Sequence, residues 1–284
     1  MQQHSLLENI LLDQAETTVP PKGAVMQRLK TGDAIFRLSV KTISRSQGRS
    51  VLFCAAYRAG CKIVAEDGSL IADYRPRKGV LFSRIIAPSN SPEWAFNRNE
   101  LWLRASSIER RNNSVEAREF EVAIPNGIDQ EAAIKLADEF ATEIVSRHRC
   151  VVDFSLHADS RKNWDGTQKN FDGLHVHFLL TTRRLSQEGF GEKTRELDIR
   201  GSGEVTHWRE RWATLANVVF DKKGMSTRID HRSNQLRGID RDPSRPLGHK
   251  IVAVERRGKR TVLGNHLRAL SCDEPSASYS DPSE

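Results

Sequence analysis

Two short stretches decide how this chain folds: Val152-Asp153-Phe154-Ser155-Leu156-His157 and Leu174-His175-Val176-His177-Phe178. Both alternate polar and apolar residues with a period of two, the pattern of a strand with one covered face. In the first, Asp153, Ser155 and His157 share the polar face. In the second, His175 and His177 share a face, with Val176 and Phe178 opposite. The polar, Asn/Asp/Gly-rich segment 158–173 between them reads as a hairpin connection. If the two strands pair, His157 joins the two histidines of the second. Residues two apart on a strand place their Cβ atoms about 7 Å apart, within reach of one divalent ion. Three neutral imidazoles leave coordination positions open, which is the arrangement of a reactive rather than a structural ion.

Working outward, two more stretches alternate in the same way. Residues 35–41 put Phe36, Leu38 and Val40 on one face. Residues 118–124 put Phe120, Val122 and Ile124 on one face, with Glu119 and Glu121 on the other. Helical spacing marks four further segments: Ser50 to Ala59; a helix through Trp94, Leu101, Trp102, Ala105 and Ile108 that opens near Ser91-Pro92-Glu93; Ile134 to Val145 behind the capping candidate Asp129; and 206–223 with Trp208 and Trp212. The order reads as α+β, with helices on one side of an antiparallel sheet and a site on the other. The expected body runs from 34 to 265. Residues 1–33, broken by Pro20-Pro21, form an expected extension, and 266–284, rich in Ser, Pro and acids, an expected unstructured tail.

The chain has 284 residues, 44 Lys+Arg against 37 Asp+Glu, and a net charge of +7, a balance that suits a polyanionic partner without selecting one. Its four cysteines (Cys54, Cys61, Cys150, Cys272) form no CxxC pair, so free thiols in a reducing compartment are expected. The N-terminus lacks a basic region of the signal-peptide kind, and no apolar run reaches the length of a membrane span. The expectation is a soluble, cytoplasmic protein without membrane insertion.

Metal-bound histidines need acceptors for their second nitrogen, and Glu119, Glu121 and Asp153 are available. A carboxylate could also take a proton from an attacking hydroxyl, and the residues leave open which one. Of three tyrosines, Tyr279 lies in the tail and Tyr74 before the turn at Arg75-Pro76. Tyr57 ends a short helix among Ala55, Ala56, Ala59 and Gly60, beside Arg58. Small neighbours admit a DNA backbone and an arginine can hold phosphate, yet a tyrosine among alanines on a helix is more often a core residue. The basic, hydroxyl-rich stretch 41–50, with Lys41, Arg45 and Arg49, is suited to backbone phosphates, as are Arg58, Arg183 and Arg184, followed by Lys193 and Arg195. Trp164 could stack a base, and Asp230-His231-Arg232-Ser233 is a candidate to close over the site. Gly189 to Thr194 lacks the spacing of a phosphate loop, so no ATP site is expected.

Taken together, LSVKTISRSQGRSVLFCAAYRAG (38–60), REFEVAIP (118–125), FSLH (154–157), HVHFLLTTRRL (175–185), GFGEKTREL (189–197) and IDHRS (229–233) resemble the MobA/MobL plasmid-mobilisation relaxases of the HUH endonuclease superfamily. The resemblance implies a five-stranded antiparallel sheet backed by helices. It implies a histidine triad at His157, His175 and His177, a nucleophile at Tyr57 and an acidic pair at Glu119 and Glu121. It also implies a divalent cation, Mg²⁺ or Mn²⁺, and nicking and religation of single-stranded or supercoiled plasmid DNA at a transfer origin through a 5′-phosphotyrosyl link. The implied partners are relaxosome accessory proteins and a conjugative coupling protein. Phe36-Arg37 stands where relatives often have Tyr-His, and the C-terminal helicase or primase of many relatives is not expected. The same motifs fit a rolling-circle replication initiator or an HUH transposase, and a non-catalytic DNA-binding accessory protein is the alternative of another class.

Overall fold

In the computed structural model, residues 36–158, 173–199, 201–239 and 248–265 are described. The expectations for 1–33, for the tail 266–284, for Cys272 and for Trp164 in the hairpin connection lie outside them. The strands are β1 (Leu38–Ser44), β2 (Lys62–Val64), β3 (Leu70–Asp73), β4 (Val80–Ile86), β5 (Val115–Ala123), β6 (Val152–Ala158), β7 (Leu174–Thr181), β8 (Arg183–Ser186) and β9 (Gly189–Lys193). The α-helices are α1 (Val51–Ala59), α2 (Arg98–Ser107), α3 (Gln130–His148), α4 (Glu204–Lys222) and α5 (Gly248–Arg256). Five strands form one antiparallel sheet in the order β1-β5-β7-β6-β4, while β2-β3 and β8-β9 make two small two-stranded sheets. The α+β expectation and the five-stranded sheet are both met.

Each face of the sheet carries its own core. The apolar residues of the alternating strands, among them Phe120, Val122, Phe154, Leu156, Val176 and Phe178, pack under α3 and α4. Phe140 of α3 stands at the centre, its ring 5.2 Å from Phe178, 5.5 Å from Trp208 and 5.1 Å from Trp212. Each such buried side chain contributes about 1.5–3 kcal/mol. The opposite face is not open along its whole length. Helices α1 and α2 cover its far end, burying Val51, Ala55, Leu101 and Trp102 against Ile43, Ala117, Val151 and Leu179. Polar side chains at the other end of that face therefore sit at the rim of an apolar roof.

Three boundaries differ from the sequence reading. The first strand begins at Leu38 rather than 35 and continues to Ser44, so Lys41 to Ser44 belong to a ladder with β5. The second helix is interrupted. A 3-10 turn at Glu93–Phe96 precedes α2, and the Asn97 side chain, accepting from Glu100 N at 3.2 Å, starts a new helix there. Residues 183–193, which showed no strand period, form the β8-β9 hairpin. Cys54, Cys61 and Cys150 are free thiols.

Candidate active site

Strand pairing brings the histidines together. In the β6-β7 register His157 faces His175 and Ser155 faces His177. The three rings stand 5.3 Å (157 to 175), 4.7 Å (157 to 177) and 5.1 Å (175 to 177) apart between centroids. One ring nitrogen from each lies within 4.8 Å of the others.

Neighbours set the tautomers, because a carbonyl can only accept. His157 Nε2 donates to Arg58 O at 2.6 Å, and its Nδ1 is buried without a hydrogen-bond partner among the described residues. Burial pushes His157 down to about 3, with the charges of His177, Arg77 and His175 acting the same way and the Arg58 carbonyl opposing them. The ring is therefore neutral and presents a lone pair on Nδ1. His177 Nδ1 donates to Glu119 Oε1 at 2.7 Å and His175 Nδ1 to Gly173 O at 3.1 Å, so Nε2 is the nitrogen each would give to a cation. A buried acceptor without a partner costs about 1–3 kcal/mol, which coordination to a cation would recover. Three converging imidazoles, with the His157 Nδ1 lone pair buried among them, fit a divalent ion.

Glu119 is 1% exposed and its Oε1 also accepts from Arg58 Nε at 2.6 Å. Burial alone would push this carboxyl up, yet the hydrogen bonds from His177 and Arg58 and the Arg58 charge outweigh it and hold Glu119 well below the carboxylate range. Glu121 faces His177 across β5-β7, pairs with Lys41 and lies 3.4 Å from Arg37. Glu119, Glu121 and His177 form a second group of ligand atoms within 4.8 Å of one another. Asp153 does not serve His157. Its two oxygens accept from Arg98 at 2.8 and 2.9 Å, and Trp102 Nε1 donates to it at 2.9 Å, under the roof of α2.

Helix α1 presents Tyr57. Ser50 caps its start by accepting from Leu52 N, and Val51 N donates to Glu116 Oε2 at 3.0 Å. Gly60 at φ +61 ends it. Val51, Ala55, Ala56 and Arg58 face inward, so Tyr57 turns out and is 45% exposed. That excludes the core reading of this tyrosine. Its ring meets the edge of Tyr74 at 5.3 Å, and the Arg77 guanidinium carbon lies 4.0 Å from its centroid. The same guanidinium donates to Tyr57 O at 3.2 Å and sits 3.4 Å from His157 Nε2. That nitrogen already donates to Arg58, so the last is a contact and not a hydrogen bond. Arg77 was missed by the sequence reading, since a loop residue carries no periodic signal.

The proposed DNA-binding cations divide. Lys41 and Arg49 are in reach of solvent, Arg49 making a 3.4 Å bond to Thr42 O. Arg45 is engaged within the protein, donating to Glu116 Oε1 at 2.8 Å and to the Glu109 and Ser106 carbonyls. Arg58 is buried on Glu119. Arg183 pairs with Glu109 at 2.8 Å and Arg184 with Glu196 at 2.9 Å, beyond the end of β7 remote from His175. The 229–233 segment is tied down on the α4 side: Ile229 is in the α3-α4 core, and Arg209 holds His231 O and Leu38 O.

Residues 49–257 match the model of the MobA/MobL family. The chain belongs to that family. This MobA/MobL chain is 34% identical over 246 residues to "Mobilization protein MobL" of Acidithiobacillus ferridurans, covering 79% of the chain and 64% of the relative. It is 25% identical over 270 residues to "Conjugal transfer protein TraA" of Agrobacterium fabrum, covering 85% of the chain and 24% of TraA. It is 28% identical over 269 residues to "Mobilization protein A" of Escherichia coli, covering 88% and 34%. The chain thus spans less than two thirds of these relatives. A solved structure titled "Molecular Basis of Vancomycin Resistance Transfer in Staphylococcus aureus" superposes with a TM-score of 0.61 at 27% identity, over 70% of this chain and 100% of that one. No helix among the described residues is long and apolar enough to cross a membrane.

Proposed function

We propose that the protein is a DNA relaxase for plasmid mobilisation, which nicks one strand at a transfer origin by tyrosine transesterification and later recloses it. The observation that carries this is the buried, partnerless Nδ1 of His157 among three converging imidazoles, beside an exposed tyrosine on a capped helix. His157, His175 and His177 would hold a Mg²⁺ or Mn²⁺ ion, which supplies charge to the oxygens of the scissile phosphate. Tyr57 attacks the phosphorus through its phenolic oxygen. The phenol loses its proton, the bond from phosphorus to the 3′ oxygen breaks, and that oxygen leaves as a 3′-hydroxyl after gaining a proton. One phosphoester replaces another, so the linkage energy is kept in the 5′-phosphotyrosyl bond and the reverse reaction needs no further energy source.

Glu119 orients His177 and balances Arg58. A carboxylate held this far below its ordinary range is a weak proton acceptor, so it is a framework residue here and not the base for Tyr57. Accessory relaxosome proteins and a coupling protein are the expected partners, with Lys41 and Arg49 on the DNA path.

The test is cleavage of a supercoiled plasmid carrying its own transfer origin, in Mg²⁺ or Mn²⁺. Protein should be found on the 5′ end of the nick. Tyr57→Phe should abolish the adduct while leaving single-strand binding within about 3-fold. An adduct that survives Tyr57→Phe, or normal cleavage by the His175→Ala/His177→Ala pair, overturns the assignment. Binding without cleavage by the wild type would mark an accessory protein instead.

A further inference from the structure

Arg77 lies in the loop between β3 and β4, which the chain braces at both ends. Its amide donates to Tyr74 O at 3.0 Å, closing a turn around Arg75-Pro76. Two residues on, Gly79 adopts φ +93, and a Cβ there would lie 2.9 Å from Ala158 O. Ala158 N donates back to Gly79 O at 2.9 Å, so the loop is fastened to β6 one residue past His157. Its position relative to the histidines is therefore set by backbone.

Several cations around the site have acidic partners. Arg58 has Glu119, Lys41 and Arg37 have Glu121, and the neighbouring Arg75 has Asp73 at 2.6 Å. Arg77 is half-buried, and among the described residues its partners are a carbonyl, an aromatic face and an imidazole, none of them a carboxylate. One N–H is spent on Tyr57 O. A guanidinium has five N–H donors in a planar fork that matches two phosphate oxygens. A half-buried cation without a counter-ion, stacked on the candidate nucleophile and touching a candidate metal ligand, is placed for an anion that arrives with the substrate.

We propose that Arg77 is a phosphate-binding residue of this site, holding Tyr57 through its ring face and giving its remaining N–H groups to the scissile phosphodiester. This rests on the reading of Tyr57 and the histidines above. Stacking and phosphate binding share one rigid plane, so the nucleophile and its target are set by the same group.

The test uses the full chain and a single-stranded oligonucleotide spanning the nick mapped on its own origin. The strand is made with phosphodiesters throughout or with one uncharged methylphosphonate at the scissile linkage. Single-turnover adduct formation in Mn²⁺ and equilibrium binding in EDTA are measured for wild type, Arg77→Ala and Arg77→Lys, with thermal unfolding as a control for folding. Arg77→Ala should slow adduct formation about 10²–10³-fold on the phosphodiester strand and no more than about 3-fold on the methylphosphonate. Wild type should bind the phosphodiester strand more tightly than the methylphosphonate, and Arg77→Ala should erase that difference. Arg77→Lys keeps the charge and should recover part of the rate. Equal losses on both strands, or a binding difference that persists in Arg77→Ala, overturn the phosphate contact. A wild type that forms no adduct, or an adduct surviving Tyr57→Phe, overturns the function instead, and the EDTA binding comparison still judges Arg77.

Discussion

Replacing Glu119 with alanine should lower stability and metal affinity together, by amounts its surroundings set. Its Oε1 takes two bonds, 2.6 Å from Arg58 and 2.7 Å from His177, and the Arg58 and Glu119 side chains are 10% and 1% exposed. Truncation leaves the Arg58 guanidinium buried without a counter-charge, which costs about 3–5 kcal/mol. For a body of this size that is a fall of about 6–20 °C in Tm. His177 also loses the acceptor that fixes its tautomer, worth about 10- to 100-fold in metal affinity. Urea and thermal unfolding at pH 7 read the first effect, and calorimetric titration with Mn²⁺ the second. The double variant Arg58→Ala/Glu119→Ala removes the stranded charge and should be less destabilised than the sum of the singles, by about 0.5–3 kcal/mol. The carboxyl's folded pKa lies below its unfolded value of about 4.3, so its contribution is complete above that pH and is lost as pH falls beneath it. Wild type and Glu119→Gln should accordingly converge in acid. A Glu119→Ala protein with Tm unchanged within about 2 °C, together with additive singles, would refute the reasoning.

Asp153→Ala strands Arg98 and Trp102 Nε1 in the same way and should cost about 3–5 kcal/mol in urea unfolding. Metal affinity by calorimetry should change by less than about 2-fold, since Asp153 touches no histidine. Arg49→Ala should lower the slope of log affinity against log salt by about 1, whereas Arg45→Ala should lower Tm and leave that slope alone. Gly79→Ala should cost about 1–3 kcal/mol and slow adduct formation, because the added Cβ meets Ala158 O and shifts the loop that carries Arg77. Unaltered unfolding in that variant would show that the loop yields freely.

Strand parity made the histidine site legible. Residues 152–157 and 174–178 each bury one face under α3 and α4, so a period of two records which side chains converge on the other. The fifth strand left no such record in Val80-Leu81-Phe82-Ser83-Arg84-Ile85-Ile86. β4 is an edge strand, with Phe82 against one core and Ile85 against the other, so both faces are partly apolar. The pairing of charges was also out of reach. Arg58 and Arg45 look like phosphate contacts in a basic stretch, and only the fold reveals that Glu119 and Glu116, some sixty to seventy positions away in the chain, claim them. For the same reason Asp153 seemed available to His157 and is not. Composition alone favoured a core place for Tyr57, and only the inward face of α1 turns it to the surface.

Arg58 reaches the histidines twice. Its side chain grips Glu119, which grips His177, and its carbonyl grips His157. The residue beside Tyr57 is thus bolted to two of the three imidazoles. A shift of α1 would loosen both rings, and a cation that locks both rings would hold α1. If the three imidazoles hold the proposed cation, thermodynamic reciprocity requires that whatever draws on Tyr57 and its helix through these bonds is felt in the grip on that cation to the same degree. Cation and DNA strand should bind as mutual effectors, with one arginine as the crank between them.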